Sequence, residues 1–368
     1  MGGGPPKAEN CIPIIYDARR IEACRSPTSE ESSVTTPGKR CPLIAALAFA
    51  AILSAAAAEP DRFNIFIATL DGRGVQCLVS DPRRELNHAR VSPDGQWITF
   101  TRYNKRGFFS SVAKEEDGYE ETEIMLAHID GRDPETLVPP RKDLVAANSY
   151  WSENGKAILF VSNDNPRHRG QINRIDLATR TVTKVPIAGD PWAADPHRVG
   201  NQLAISVFDP GQKQTAIWLA AADGSRARQI TFPGMAGKAS GGKTPLGDFD
   251  PKISPDGRRV ATMRHLAKDS WHVIVVDLAS GGEQDISPAR AVDGVPEWSG
   301  DGSKLVFWHV NVDELRTSGL YTMNPDGSDR RRLPLPHGYF YTLPAFFPGE
   351  GTKGEARIIF SGEKNPFL

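Results

Sequence analysis

The sequence predicts an all-β fold: a six-bladed β-propeller of four-stranded antiparallel blades. Three observations carry the prediction. A hairpin-sized pattern recurs along the chain from residue 64 onward. Its tight turns hold Asp-Gly or Asn-Gly pairs at Asp94-Gly95, Asn154-Gly155, Asp256-Gly257 and Asp301-Gly302. Outside the apolar stretch near residue 50, no segment keeps the 3.6-residue period of a helix. Self-similarity of this kind marks repeat architectures, and four short strands per repeat, stacked radially, make a propeller blade.

Taken in order, residues 1–38 are rich in Gly, Pro, Ser, Thr and charge. They read as an N-terminal extension, either disordered or lying upstream of the true start of translation. Residues 39–58 read as a signal peptide: Lys39-Arg40, an apolar run over 43–53, then a small-residue tract ending at Ala58. Cleavage is expected before Glu59. A leader does not ordinarily sit behind so long a polar stretch, and a start at Val34 gives an ordinary positively charged n-region. The apolar run falls short of the roughly 20 residues that a span needs, so no stable membrane span is expected after cleavage. Cys11, Cys24 and Cys41 precede the cleavage site; only Cys77 follows it, which leaves no intrachain disulfide in the mature form.

Residues 59–368 form the expected propeller. One half-unit occurs at 88–102, 149–163, 195–209, 250–264 and 295–309, and in degenerate form at 344–362. Each copy has an apolar residue, a tight turn and a β-rich run; Asp-Gly and Asn-Gly suit the positive φ of two-residue hairpin turns. A second hairpin occurs at 64–80, 123–138, 172–187, 216–231, 272–287 and 320–335. The two kinds are out of phase: the chain opens on a second hairpin and closes on a first. Pairing those two in one blade closes the ring and removes free sheet edges.

The Ser-Pro-Asp-Gly hairpin followed by an apolar strand resembles the repeat of the TolB-like propellers. The clearest copies are Ser92-Pro93-Asp94-Gly95 and Ser254-Pro255-Asp256-Gly257; degenerate copies are Ser152 to Gly155 and Ser299 to Gly302. The resemblance covers about residues 61–365. It implies a fold more than a function, because related propellers serve as scaffolds, peptidases and lyases. TolB proper carries an α/β domain ahead of its propeller, whereas here the repeats begin within a few residues of the expected cleavage site. The resemblance is therefore to the propeller part.

Residues entering the inner strands are expected to ring the channel mouth: His88, Asn148, Asp195, His197, Asp248, Asp250, Asp293 and Tyr341, with Trp192 beside them. Four carboxylates at one mouth focus negative potential and suit a calcium ion or a basic group; equally, each aspartate can cap a strand end. Trp192 and Tyr341 suit stacking on a sugar or peptide, or packing between blades. The long loops 103–122, 186–194 and 232–249 all fall on the face opposite the Asp-Gly turns. The first of them carries Phe108-Phe109 and an acidic cluster that suits a partner protein. Some TolB-like propellers cleave oligogalacturonate with a metal, and on that resemblance His265, His309 and His337 are candidate ligands for a transition metal.

Other classes find little support. A net charge of −1 argues against nucleic acid. No Gly-x-Ser-x-Gly elbow, Walker or Rossmann pattern stands in a strand–turn–helix setting. The expected function is a periplasmic or secreted scaffold, monomeric and without an obligate cofactor, that binds an envelope protein, peptide or glycan through its long-loop face. A metal-dependent carbohydrate-active enzyme is the alternative.

Overall fold

The computed structural model describes residues 62–104, 121–167, 169–234, 238, 244–267, 270–311, 313–352 and 355–364. The expected extension, the signal peptide with Cys11, Cys24 and Cys41, and most of the 103–122 loop with Phe108-Phe109 and its acidic cluster lie outside these residues, as does much of the 232–249 loop. Among the described residues there are twenty-four strands and no α-helix.

β1 (Asn64–Thr69) and β2 (Gln76–Val79) come first. β3 (Glu85–Val91), β4 (Trp97–Tyr103), β5 (Thr122–His128) and β6 (Glu135–Val138) form one antiparallel sheet in chain order. β7 (Ala146–Trp151), β8 (Ala157–Ser162), β9 (Gln171–Asp176) and β10 (Val182–Lys184) form another. The next three groups are β11 (Trp192–Val199) to β14 (Arg228–Gln229), β15 (Leu246–Ile253) to β18 (Glu283–Asp285), and β19 (Val292–Trp298) to β22 (Arg331–Arg332). Within these groups lie β12 (Gln202–Asp209), β13 (Gln214–Ala221), β16 (Arg259–Ala267), β17 (Ser270–Asp277), β20 (Leu305–Val310) and β21 (Gly319–Met323). Short parallel bridges join the three groups, at Thr215↔Gly247 between β13 and β15 and at Trp271↔Val292 between β17 and β19.

β23 (Tyr339–Phe346) and β24 (Arg357–Lys364) find their partners at the other end of the chain, in the order β2-β1-β24-β23. β1 and β24 pair in unbroken register from Asn64↔Gly362 to Thr69↔Arg357. The first strands of neighbouring groups pack together in cyclic order: β3 on β7, β7 on β11, β11 on β15, β15 on β19, β19 on β23, and β23 on β3.

Strand alternation explains the core. Successive side chains point to opposite faces, and each sheet is covered on both faces by its neighbours, so both sets are apolar. Ile217, Leu219 and Ile230 of one group meet Ile253, Val260 and Ile274 of the next in a single cluster. Val273, Val275 and Ile286 meet Trp298, Leu305 and Phe307 in the same way. The outermost strands are short and polar; β10 and β18 are exposed throughout, which blunts the free edges.

The hairpin turns differ from the two-residue form expected. In each, only the glycine is left-handed, with φ of 72°, 66°, 69° and 67° at Gly95, Gly155, Gly257 and Gly302. The residue before it accepts hydrogen bonds instead. Asp94 takes the Ser92 hydroxyl at 2.5 Å and the Gln96 N–H at 3.0 Å, while Ser92 Oγ accepts the Trp97 N–H at 2.9 Å. The same three bonds recur at Ser254, Asp256 and Arg259. The longer loop is favoured because the Ser and Asp side chains satisfy backbone groups that a two-residue turn would not expose.

Candidate functional site

Every first strand carries the same irregularity. The pairing register slips after its second, third or fourth residue, for example between Ala147 and Tyr150, between Asn87 and Arg90 and between Phe249 and Lys252. The residue at the slip is left-handed in all six strands: His88, Asn148, Asp195, Asp250, Val295 and Leu343, with φ between 49° and 55°. Asn and Asp tolerate this conformation best, whereas Val and Leu are strained in it. Pro196, Pro251, Pro296 and Pro344 follow four of them. A bulge leaves a backbone N–H out of the ladder, so a proline there forfeits no strand hydrogen bond.

Two positions on stand Arg90, Tyr150, His197, Lys252, Glu297 and Ala345. Together with the left-handed residues they form a buried polar cluster. Arg90 Nη2 donates to the Tyr150 hydroxyl at 2.9 Å and lies 3.6 Å from Glu297 Oε2. Lys252 Nζ is 3.3 Å from Asp250 Oδ1. Both cations sit over the Tyr150 ring, Arg90 at 4.8 Å and Lys252 at 5.1 Å from its centre. Asn148 Nδ2 donates to Asp195 Oδ1. The backbone N–H of Ile253 donates to His197 Nδ1 at 3.1 Å, so a neutral His197 carries its proton on Nε2, 3.7 Å from Glu297. Trp151 and Trp298, each from the neighbouring strand, donate their indole N–H to the carbonyls of Arg90 and Lys252 at 2.9 and 2.8 Å.

Burial governs the ionisation of this cluster. Asp195 and Lys252 are 0% exposed and Asp250 1%. Burial, reinforced by the Asp250 charge, raises the Asp195 carboxyl to about 7 against the pull of Lys252. Burial lowers His88 to about 3, with Arg90 and Lys252 adding to it and Asp250 opposing. His197 falls well below its usual value for the same first reason, then through Lys252 and Arg90. For Lys252, burial favours the neutral amine, but the acidic groups Tyr150, Asp250 and Glu297 outweigh it and raise its pKa. Burial raises Glu297 against the pull of Lys252 and Arg90. Five buried polar atoms of the cluster have no hydrogen-bond partner: His88 Nδ1, Arg90 Nε, Asp195 Oδ2, Asp250 Oδ2 and Glu297 Oε2.

The structure thus brings together His88, Asn148, Asp195, His197 and Asp250 from the sequence expectation and leaves the other expected residues apart. Asp248 is taken by Arg264, through Nε at 2.6 Å and Nη2 at 2.9 Å. Asp293 accepts from Arg330, His309 and Ser287. These two aspartates are held by arginines of their own groups, and Asp293 also by Ser287 of the preceding one, instead of facing the cluster. Trp192 stacks on Phe208 at 5.3 Å, and the Tyr341 hydroxyl donates to the Pro336 carbonyl at 3.1 Å. His265 stacks on Trp271 at 3.9 Å with Nδ1 2.8 Å from the Pro245 carbonyl. His309 is bound to Asp293, and His337 is exposed. Among the described residues no three His, Cys, Asp or Glu side chains gather as a metal-holding group.

Sequence reasoning missed Arg90, Tyr150, Lys252 and Glu297. A signal was there. With the repeats aligned on their turns, the second residue after the left-handed position reads Arg, Tyr, His, Lys, Glu and Ala, a polar column at one register position of the first strands.

Solved structures share this arrangement of sheets. A structure described as putative TolB from Agrobacterium tumefaciens matches with a TM-score of 0.58 at 15% identity, covering 83% of this chain and 99% of that one. TolB from Acinetobacter baumannii matches with a TM-score of 0.55 at 15% identity and 83% coverage of this chain. The fold is that of the TolB-like β-propellers. The propeller spans only 64% of the Acinetobacter protein's length. A structure of the nidogen/laminin complex matches more loosely, with a TM-score of 0.50 at 11% identity, over 75% of this chain and 94% of that one. No family model matches the sequence.

Proposed function

We propose that the chain is an exported, six-bladed propeller, closed by its two terminal strands in one blade, that binds a protein, peptide or glycan of the cell envelope across its long-loop face. The observation that carries the binding reading is the central cluster. Buried, unpaired polar atoms on left-handed residues cost stability, and features that break local rules at a cost concentrate where a protein acts. The cyclic packing of first strands and the β1–β24 register support closure. A rigid ring of this kind displays the inter-blade loops as a fixed surface. The structures described as TolB and as the nidogen/laminin complex belong to the same fold class. The metal-assisted alternative is less favoured, because His265 and His309 are engaged by Trp271 and Asp293. No helix among the described residues is long and apolar enough to cross a membrane.

The test has two arms. Mature protein recovered from the producing cell should begin near Glu59 and fractionate outside the cytoplasm; cytoplasmic protein retaining residues 1–38 refutes export. Immobilised propeller should retain an envelope component that the Trp192→Ala, His337→Ala double variant loses, and the purified component should rebind. Equal retention by the variant removes the long-loop face from the proposal.

A further inference from the structure

The central cluster holds three carboxyl groups, Asp195, Asp250 and Glu297, against two fixed cations, Arg90 and Lys252. Its two histidines do not supply the missing charge. The Ile253 N–H occupies His197 Nδ1 as a donor, which fixes that ring neutral, and His88 Nδ1 is buried without a partner. With every carboxyl ionised, the cluster therefore carries one negative charge in excess, away from water.

Geometry indicates which carboxyl is left over. Asp250 has the Lys252 ammonium at 3.3 Å, and Glu297 has Arg90 at 3.6 Å. Asp195 has only neutral hydrogen-bonding groups beside it, the Asn148 amide on Oδ1 and the Ser206 hydroxyl. It is 0% exposed, so bulk solvent does not reach it to screen its charge. A proton is the one positive charge that fits without displacing a side chain. Other charged groups on the strands packed against β11 do not reach it. β8 carries none, Arg174 and Asp176 of β9 pair with each other at 3.5 Å, and Asp209 of β12 is exposed. Asp248 of β15 is held by Arg264.

We infer that the centre of the propeller is a proton-operated latch: Asp195 takes up one proton on folding, and releasing it leaves an uncompensated charge where β7, β11 and β15 meet. No covalent chemistry is involved. The proton moves between solvent and Asp195 Oδ2, and the latch responds to the pH around the protein.

The sign follows from the two states. The folded carboxyl keeps its proton to about neutral pH, whereas the unfolded one loses it near pH 4, at about 3.9. Stability from this group is fully present below the unfolded value and is lost as pH rises through the folded one. Between roughly pH 4 and pH 7 the unfolding equilibrium constant should rise close to tenfold per pH unit on account of Asp195.

Three measurements test this on the full-length mature protein. Melting temperature should fall from about pH 5 to about pH 8 in the wild type and fall less in Asp195→Asn, which mimics the protonated form. The infrared difference between wild type and Asp195→Asn at about pH 6 should contain the C=O stretch of a protonated carboxylic acid, a group that ordinary aspartates have lost by then. If Asp195→Asn does not fold, carbon-labelled aspartate in the wild type answers alone: one carboxyl carbon should titrate near neutral pH. The same pH slope in both proteins, no acid band in the difference spectrum, or no aspartate titrating near neutral pH overturns the inference.

Discussion

Replacing Asp293 with alanine should cost about 3 kcal/mol of folding stability. The carboxylate is 0% exposed and accepts four hydrogen bonds: Arg330 Nη1 at 2.7 Å, Arg330 Nη2 at 2.8 Å, His309 Nδ1 at 2.7 Å and the Ser287 hydroxyl at 2.7 Å. It joins β19 to β20, to the turn before β22 and to the loop after β18. Breaking a buried pair by removing one partner costs about 3–5 kcal/mol, because the remaining charge stays buried and unpaired. The lower end applies here. The Arg330 side chain keeps 19% exposure and stacks on Phe307 and Tyr321 at 4.8 and 5.0 Å, so water and the rings take up part of the loss. For a domain this large, about 3 kcal/mol corresponds to a fall in Tm of roughly 6 °C. Urea unfolding followed by circular dichroism reads it directly, with the m-value checked for constancy.

A second signature separates charge from packing. Burial pushes the Asp293 carboxyl up, but the hydrogen bonds from His309 and Arg330 and the Arg330 charge outweigh it and hold the group below its usual range. Its stabilisation is therefore present above the unfolded value, about 3.9, and is lost as pH falls through the lower folded one. Asp293→Asn should lose this part of the acid sensitivity while keeping the side-chain volume. A loss under about 1 kcal/mol for Asp293→Ala, or unchanged acid sensitivity in Asp293→Asn, would refute the ion-pair reasoning.

Two further substitutions probe the joints between sheets. Gly247 has φ of +115°, and an added Cβ would lie 2.0 Å from the Thr215 carbonyl oxygen at the β13–β15 bridge; Gly247→Ala should lower stability by at least about 2 kcal/mol, and a urea midpoint equal to the wild type's would contradict that account. Trp298 donates to the Lys252 carbonyl at 2.8 Å and lies under Arg259 at 4.7 Å; Trp298→Phe should cost about 1–2 kcal/mol in the same assay, and a neutral result would show that the indole N–H is dispensable.

The strand pairing of the two chain ends was legible because hairpins can be counted, and the out-of-phase count leaves one of each kind to pair. The candidate site was legible only in part. Asp248 and Asp250 looked equivalent, since residues two apart on a strand share a face. The left-handed conformation at Asp250 breaks that alternation: Asp248 stays in the sheet beside Arg264, and Asp250 turns to the centre beside Lys252. Asp293 and Val295 repeat the split, with the aspartate in the sheet and the apolar residue at the slip.

The amino-acid sequence by itself determined what is local and repeated: hairpins whose Ser, Asp and Gly satisfy a turn, strands whose alternation covers two faces, and a first and last hairpin that complete one sheet. Tertiary structure alone decided which polar residues meet. The central cluster draws one or two side chains from strands far apart in the chain, and its ionisation depends on a shared burial that no single segment carries. Asp195 is an ordinary aspartate in its own hairpin; it becomes the unbalanced carboxyl only when β7 and β15 pack on β11 and bury it in a cluster whose two cations, Arg90 and Lys252, already face two other carboxyls.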